Sequence, residues 1–181
     1  MRSRQPLPQL WLLSDARNDA ALAAALRRLP RGSGFVFRHY HLEDGARRAR
    51  FRVLARIARA RGHCVILSGS AAAAQRWGAD GAYGAARSIG AGPAILRLAT
   101  AHSLCELGRA GRADAVLLSP VFPTRTHPHG KVLGPLRFRL IAARSPVPVI
   151  ALGGMNAHSA KRLKHPRWAA IDGLSATKRL G

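Results

Sequence analysis

Short, unbroken apolar runs recur along this chain, separated by stretches in which apolar positions return at helical spacing. The runs are Leu10–Ser14 (LWLLS), Phe35–Tyr40 (FVFRHY), Cys64–Leu67 (CVIL), Gly81–Gly84, Ala94–Leu98, Val116–Leu118, Val147–Leu152 and Ala169–Ile171. Continuous rather than alternating apolarity marks a strand covered on both faces. Asp19–Leu29, Asp44–Arg61, Ala71–Trp77, Ser103–Ala110 and Ala157–Leu163 read as helices, and Asp44–Arg61 carries Phe51, Leu54, Ala55 and Ala58 on one face. Asn18 or Asp19 is the cap expected for the first helix, and Ser103 with Glu106 three residues later predicts a capping box. Eight strand units with short helices between them predict an α/β fold: a single compact (βα)8 TIM barrel, residues 1–181, with its core at about 10–174. A doubly wound sheet is the alternative that periodicity alone does not separate.

Two of the runs end in chemistry. After Val116–Leu118 come Ser119 and a proline-braced loop holding Thr124, Arg125, Thr126, His127 and His129. After Val147–Leu152 comes Gly153-Gly154, where backbone can approach a ligand closely. Functional groups at the C-terminal ends of strands are the layout of α/β enzymes, and bare N–H groups after a late strand suit a phosphate. Arg38 sits at the end of the second run, beside His39, Tyr40 and His41, and is expected to point into the barrel mouth toward an anion. His102 follows the fifth, as an orienting residue or a helix-start histidine. His127 and His129 are candidates for proton transfer near neutral pH. His39 and His41 are expected to alternate on the strand and to face the same way.

Composition narrows the class. The chain has 181 residues, 48% of them hydrophobic, which is enough for one sizeable core. No apolar run approaches the ~20 residues of a membrane span. The N-terminal apolar segment is shorter than the ~7 residues a signal peptide needs, so the expectation is a cytoplasmic protein without membrane partners. Cys64 and Cys105 lack CxxC spacing and are expected to be buried, reduced thiols. Thirty basic and eight acidic residues give a net charge of +22. Such a field attracts polyanions non-specifically at low salt. Arg48, Arg52, Arg56 and Arg59 form a stripe on the second helix, read as a solvated face, with an acidic partner or RNA as the alternative.

The eight histidines show no HExxH spacing, and no protein metal site is expected. Mg²⁺ binds carboxylates beside substrate phosphates, and only Asp15, Asp80 and Asp172 fall near strand ends.

SPVFPTRTHP (Ser119–Pro128), LGP (Leu133–Pro135) and VPVIALGGM (Val147–Met155) resemble the thiamine-phosphate synthase / thiazole tautomerase (TenI-type) family. LWLLSD, GADGAYG and ATAHSLCEL fit the same pattern, so the resemblance runs from about Leu10 to Leu174. It implies a (βα)8 barrel of thiamine biosynthesis that joins a hydroxymethylpyrimidine diphosphate to a thiazole phosphate with release of pyrophosphate. It places Thr124 and Thr126 on the family's TxT, Gly153 and Gly154 on its phosphate-binding glycines, and Gly173 near the last strand's end. The family's QxRxK reads Val36–Tyr40 here and keeps only Arg38. Its Asn-Asp pair reads Ser68-Gly69, its HLG histidine is Tyr83, and the Lys after TxT is His127. Protein ligands for Mg²⁺ are therefore missing, and Arg38, Arg87 and His127 would supply the positive charge.

The expected substrate and phosphate-binding set is thus Ser119, Thr124, Thr126, Gly153, Gly154 and Gly173, with Arg38, His127 and His102 as catalytic candidates. A metal-independent thiazole tautomerase-like enzyme is one alternative. A non-catalytic ligand- or nucleic-acid-binding protein on a degenerate barrel is another. Pairing into a homodimer is compatible with the sequence, which carries no clear interface signal.

Overall fold

Eight parallel strands, taken in chain order, close on themselves. The computed structural model describes residues 6–124 and 131–175. The strands are β1 (Leu10–Leu13), β2 (Gly34–Phe37), β3 (Cys64–Ser68), β4 (Gly81–Ala85), β5 (Leu96–Ala101), β6 (Ala115–Leu118), β7 (Val149–Ala151) and β8 (Trp168–Ala170). The helices are α1 (Asp19–Arg28), α2 (Asp44–Ala60), α3 (Ala71–Trp77), α4 (Ala86–Ile89), α5 (Leu104–Gly108), α6 (Gly134–Ala142) and α7 (Ala157–Leu163). Strand β8 returns to β1 through Leu10↔Trp168, Trp11↔Ala169 and Leu12↔Ala170, so the barrel leaves no open edge. This is the expected (βα)8 barrel rather than a doubly wound sheet.

The continuous apolar runs follow from burial on both faces. Trp11, Leu13, Val36, Ile66, Tyr83, Leu98, Leu117 and Ile150 fill the barrel interior. Their chain neighbours Leu12, Phe35, Phe37, Val65, Leu67, Val116 and Leu118 meet the helices outside. Packing inside is tight: a Cβ on Gly34 would lie 2.0 Å from the Trp11 ring. Trp11 anchors itself by donating its indole N–H to the Pro8 carbonyl at 2.8 Å.

Several boundaries differ from the sequence reading. Strand β2 stops at Phe37 instead of reaching Tyr40, because His39 adopts the left-handed φ of 43°. Strand β5 starts at Leu96 rather than Ala94, because Gly92 (φ 102°) and Pro93 hold the chain in a turn and pairing begins at Gly81↔Leu96. Helices α4 and α6 escaped the pattern; α6 opens with Gly134-Pro135, and proline is well placed in a first helical turn. Ser103 caps α5 by accepting the Glu106 N–H at 3.2 Å, but the Glu106 carboxylate takes the His102 N–H at 2.9 Å instead of closing the box on Ser103. Cys64 is half-buried, and burial, then the nearby Asp80 charge, push its thiol up to about 12. Cys105 is exposed on α5, contrary to expectation, because it lies away from the face that buries Leu107. Arg48, Arg52, Arg56 and Arg59 are exposed, as a solvated face requires. Among the described residues no helix is long and apolar enough to cross a membrane.

Candidate ligand-binding site at the barrel mouth

Parallel strands bring all their C-terminal ends to one rim, which gathers Asp15, Arg38, Ser68, His102, Ser119, Gly153-Gly154 and Gly173.

The loops after β6, β7 and β8 interleave backbone against backbone. Val121 donates its N–H to the Leu152 carbonyl at 2.9 Å and Phe122 donates to Gly153 at 3.1 Å. Gly153 and Gly154 both have positive φ, 93° and 63°. A Cβ would sit 2.6 Å from Pro120 Cα at Gly153, and 2.5 Å from the Pro123 carbonyl oxygen at Gly154. At Gly173 it would sit 2.3 Å from the Met155 carbonyl oxygen. The three glycines therefore let the loops close up into one layer. Ser119 and Thr124 stand half-buried on it. Thr126 and His127, with Arg125 and His129, lie outside the described residues.

His102 links this layer to β5. Its Nδ1 lies 2.9 Å from the Ser119 carbonyl oxygen and 3.3 Å from Ser119 Oγ. A carbonyl only accepts, so Nδ1 carries the proton and Nε2 is left as the acceptor.

The opposite half, over β1 to β4, is built on ion pairs and hydroxyls. Arg38 donates from Nε to the Ser14 carbonyl at 2.9 Å and from Nη2 to Asp15 Oδ2 at 2.8 Å. Asp15 also takes Arg17 Nε at 2.9 Å. Burial raises the Asp15 carboxyl, but hydrogen bonds and charge from Arg17 and the Arg38 charge outweigh it, leaving the group below its ordinary 3.8. Tyr83, on β4 inside the barrel, is pushed up to about 12 by burial. Tyr40 is exposed and its hydroxyl hydrogen-bonds Ser68 Oγ. Arg47 ties the two strand ends together, donating to the carbonyls of Arg38 (2.9 Å) and Ser68 (2.8 Å). Its guanidinium also lies over the Phe37, Tyr40 and Trp77 rings.

His39 is the residue the sequence placed least well. It and His41 both lie past the end of β2 rather than on it, yet their rings still meet, at 5.1 Å; His41 is exposed, while the His39 ring is buried and stacks on Phe37 at 4.6 Å. Its Nδ1 lies 2.7 Å from Ser14 Oγ and its Nε2 2.6 Å from Asp19 Oδ1. The Asp19 carboxylate only accepts, so Nε2 carries the proton; in the neutral ring Nδ1 is then an acceptor, and Ser14 Oγ, which itself accepts the Arg38 N–H at 2.7 Å, donates to it. Burial lowers the His39 pKa; Asp19 works against that, and the charges of His41 and Arg50 add to it. Ser, His and Asp here form a chain, yet Ser14 is fully buried, so its hydroxyl holds the Arg38 backbone instead of meeting substrate. No signal local to FVFRHY announces this network, because its partners are about 20 to 25 residues away.

The donor set does not fit Mg²⁺. Among the described residues no three His, Cys, Asp or Glu side chains cluster. Asp15 is taken by Arg17 and Arg38, Asp172 lies 3.6 Å from Arg17, and the turn after β3 carries no carboxylate.

A profile described as thiamine monophosphate synthase matches residues 10–176. The chain is 33% identical over 162 residues to a thiamine-phosphate synthase of Chromobacterium violaceum, covering 83% of this chain and 76% of that protein. Its fold is similar to thiamine phosphate pyrophosphorylase from Pyrococcus furiosus, with TM-score 0.77 and 21% identity over 93% of this chain and 88% of that one. The corresponding protein of Bacteroides thetaiotaomicron gives 0.60 and 15% over 90% and 82%. These two likenesses bear on the fold.

Proposed function

The chain belongs to the thiamine monophosphate synthase family, and on that premise we propose that it joins a hydroxymethylpyrimidine diphosphate to a thiazole phosphate with release of pyrophosphate. The observation carrying this reading is the interleaved layer of Ser119–Thr124, Gly153-Gly154 and Gly173. It presents the Ser119 and Thr124 hydroxyls at one side of the mouth; these and the loop backbone held together by the three glycines are assigned the thiazole phosphate, with Thr126 added on the family resemblance alone. Arg38 faces the pyrimidine diphosphate across the mouth. The new bond forms at the carbon that bears the diphosphate; the carbon–oxygen bond breaks and its electron pair leaves on pyrophosphate. Charge grows on that leaving group, and positioned cations stabilise it. Arg38 and His127 are the candidates for this, with His102 ordering the Ser119 loop. The chain's carboxylates do not suit Mg²⁺, so no step is assigned to the metal.

The test is formation of thiamine phosphate from the two substrates by excess purified protein, against a control without protein. Product is expected. No product from protein shown to be folded overturns the synthase reading.

The Arg38–Asp15 pair and the missing carboxylates favour a second reading, in which the layer binds a phosphorylated thiazole for metal-independent, tautomerase-like chemistry or for binding alone. Thiazole phosphate binding without thiamine phosphate formation separates it from the first.

A further inference from the structure

The helical layer is thin on one side of the barrel. Helices α4 and α5 have four and five residues, where α1 and α2 have ten and seventeen. Between α4 and α5 lies a groove of about 690 Å³, running from Ala85 and Thr100 near the rim to Arg97 and Ala113. It is separate from the mouth layer built on β6 to β8. Its accessible apolar lining comes from Ala85, Ala86, Ala91 and Ala113, while Ile89 and Ala110 lie buried beneath it in the core. Arg87 stands on the α4 side, and Arg109 and Arg112 on the α5 side, all three exposed. None of the three has an ion pair among the described residues. A fourth, Arg97, is already held by the carbonyls of Ile89, Gly92 and Pro93 at 2.8, 3.1 and 3.0 Å. Glu106 is the one acid in the lining and is tied to the His102 N–H at 2.9 Å.

We propose that this groove docks an acidic amphipathic helix of a partner protein. The helix fills the gap in the helical layer, sets its apolar stripe on Ala85, Ala86, Ala91 and Ala113, and turns carboxylates toward Arg87, Arg109 and Arg112. Charge decides against a second copy of this chain. Of its eight acidic residues, Asp15, Asp19, Asp80, Glu106, Asp114 and Asp172 each meet a described hydrogen-bond or ion-pair partner, which leaves Glu43 and Asp44. Two molecules at +22 also repel. Chemistry decides against nucleic acid. The groove holds no aromatic side chain for a base to stack on, and its apolar lining would strip water from phosphates without replacing the hydrogen bonds.

The experiment is fluorescence anisotropy with a fluorescein-labelled peptide of about five helical turns, carrying Leu and Ala at i, i+3, i+4, i+7 spacing and Glu elsewhere. Its scrambled counterpart, of equal charge, is the control. The patterned peptide is expected to bind the full chain at least about ten-fold more tightly than the scrambled one at 150 mM salt, a moderately screened condition. R109E/R112E should weaken it at least about ten-fold, while R52E/R56E on α2, an equal charge change elsewhere, should alter it less than about three-fold. Thermal melts establish that each variant folds; R87E, on the other wall, repeats the test if the double variant does not. Equal binding of both peptides, or equal loss from both double variants, means net-charge attraction alone and overturns the proposal. So does displacement of the peptide by a duplex oligonucleotide, or self-association that disappears in R109E/R112E.

Discussion

The Arg38 guanidinium lies 2.8 Å from the Asp15 carboxylate, across the neighbouring ends of β1 and β2. The half-buried cation assigned to the diphosphate is therefore already offset before ligand arrives. Asp15→Asn removes the competing charge and keeps an oxygen for the hydrogen bond. Inorganic pyrophosphate should then bind about three- to ten-fold more tightly by calorimetry, with a stability loss near 1 kcal/mol because the pair is partly exposed. Unchanged affinity would remove Arg38 from the anion site.

Acid should destabilise the fold in two stages. His39, His63 and His165 all sit below 6.5, each lowered first by burial. The unfolded chain then binds more protons than the folded one just below 6.5, so stability present above that pH is lost as pH falls through the folded values. Asp15 and Asp19, lowered from 3.8 by their arginine and histidine partners against the opposing effect of burial, add stability that is present above 3.8 and lost further down. Melting temperatures should fall from pH 7 toward 5, and again below about 4. His63 Nε2–H donates to the Leu26 carbonyl at 2.8 Å, while its Nδ1 is buried without a partner among the described residues. His63→Gln keeps a donor but cannot titrate. It should flatten the first stage by up to about 1.4 kcal/mol per pH unit; an unchanged slope would exclude His63 from it.

Much of the barrel was readable because a strand covered on both faces must be apolar throughout, and that pattern needs no partner to be recognised. The end of β2 was not readable. FVFRHY favours extended chain up to Tyr40, yet Ser14 and Asp19 capture the His39 ring from elsewhere in the fold and turn the backbone left-handed at φ 43°. Helix α6 was hidden because it buries only Phe138 and Ile141, too short a stripe to stand out, and its opening Gly134-Pro135 does not announce a helix even though a proline in the first turn leaves one intact. At the site, Gly153-Gly154 was legible as a turn where backbone could approach a ligand, but what the fold packs against it is another loop. That this loop is Pro120–Pro123 is a long-range fact no local pattern contains. Asp15 stood visibly after an apolar run, but its role as the counter-charge of Arg38 appears only once β1 and β2 pair.

Gly62 and Gly154 separate backbone strain from crowding. Both are left-handed, at φ 69° and 63°, but a Cβ at Gly62 meets nothing within 4 Å whereas one at Gly154 meets the Pro123 carbonyl oxygen at 2.5 Å. Gly62→Ala should cost about 1 kcal/mol, the strain alone. Gly154→Ala should cost at least about 3 kcal/mol, because overpacking adds to the strain. Urea denaturation measures both. Equal costs would mean that the Pro120–Pro123 loop yields freely, and that the interleaved layer does not hold Gly154 in place.

His102 is exposed, so its replacement tests ligand handling more than stability. Its contact with the Ser119 carbonyl, at 2.9 Å, is a donor role that an asparagine amide can reproduce. Proton exchange at Nε2 is a role asparagine cannot take. If His102 orders the Ser119 loop, His102→Ala should raise KM for thiazole phosphate about three- to ten-fold with kcat within about two-fold, and His102→Asn should restore KM. A loss of about 100-fold in kcat in both variants, with KM unchanged, is the signature of lost general acid–base chemistry and would move His102 from positioning the loop to transferring the proton.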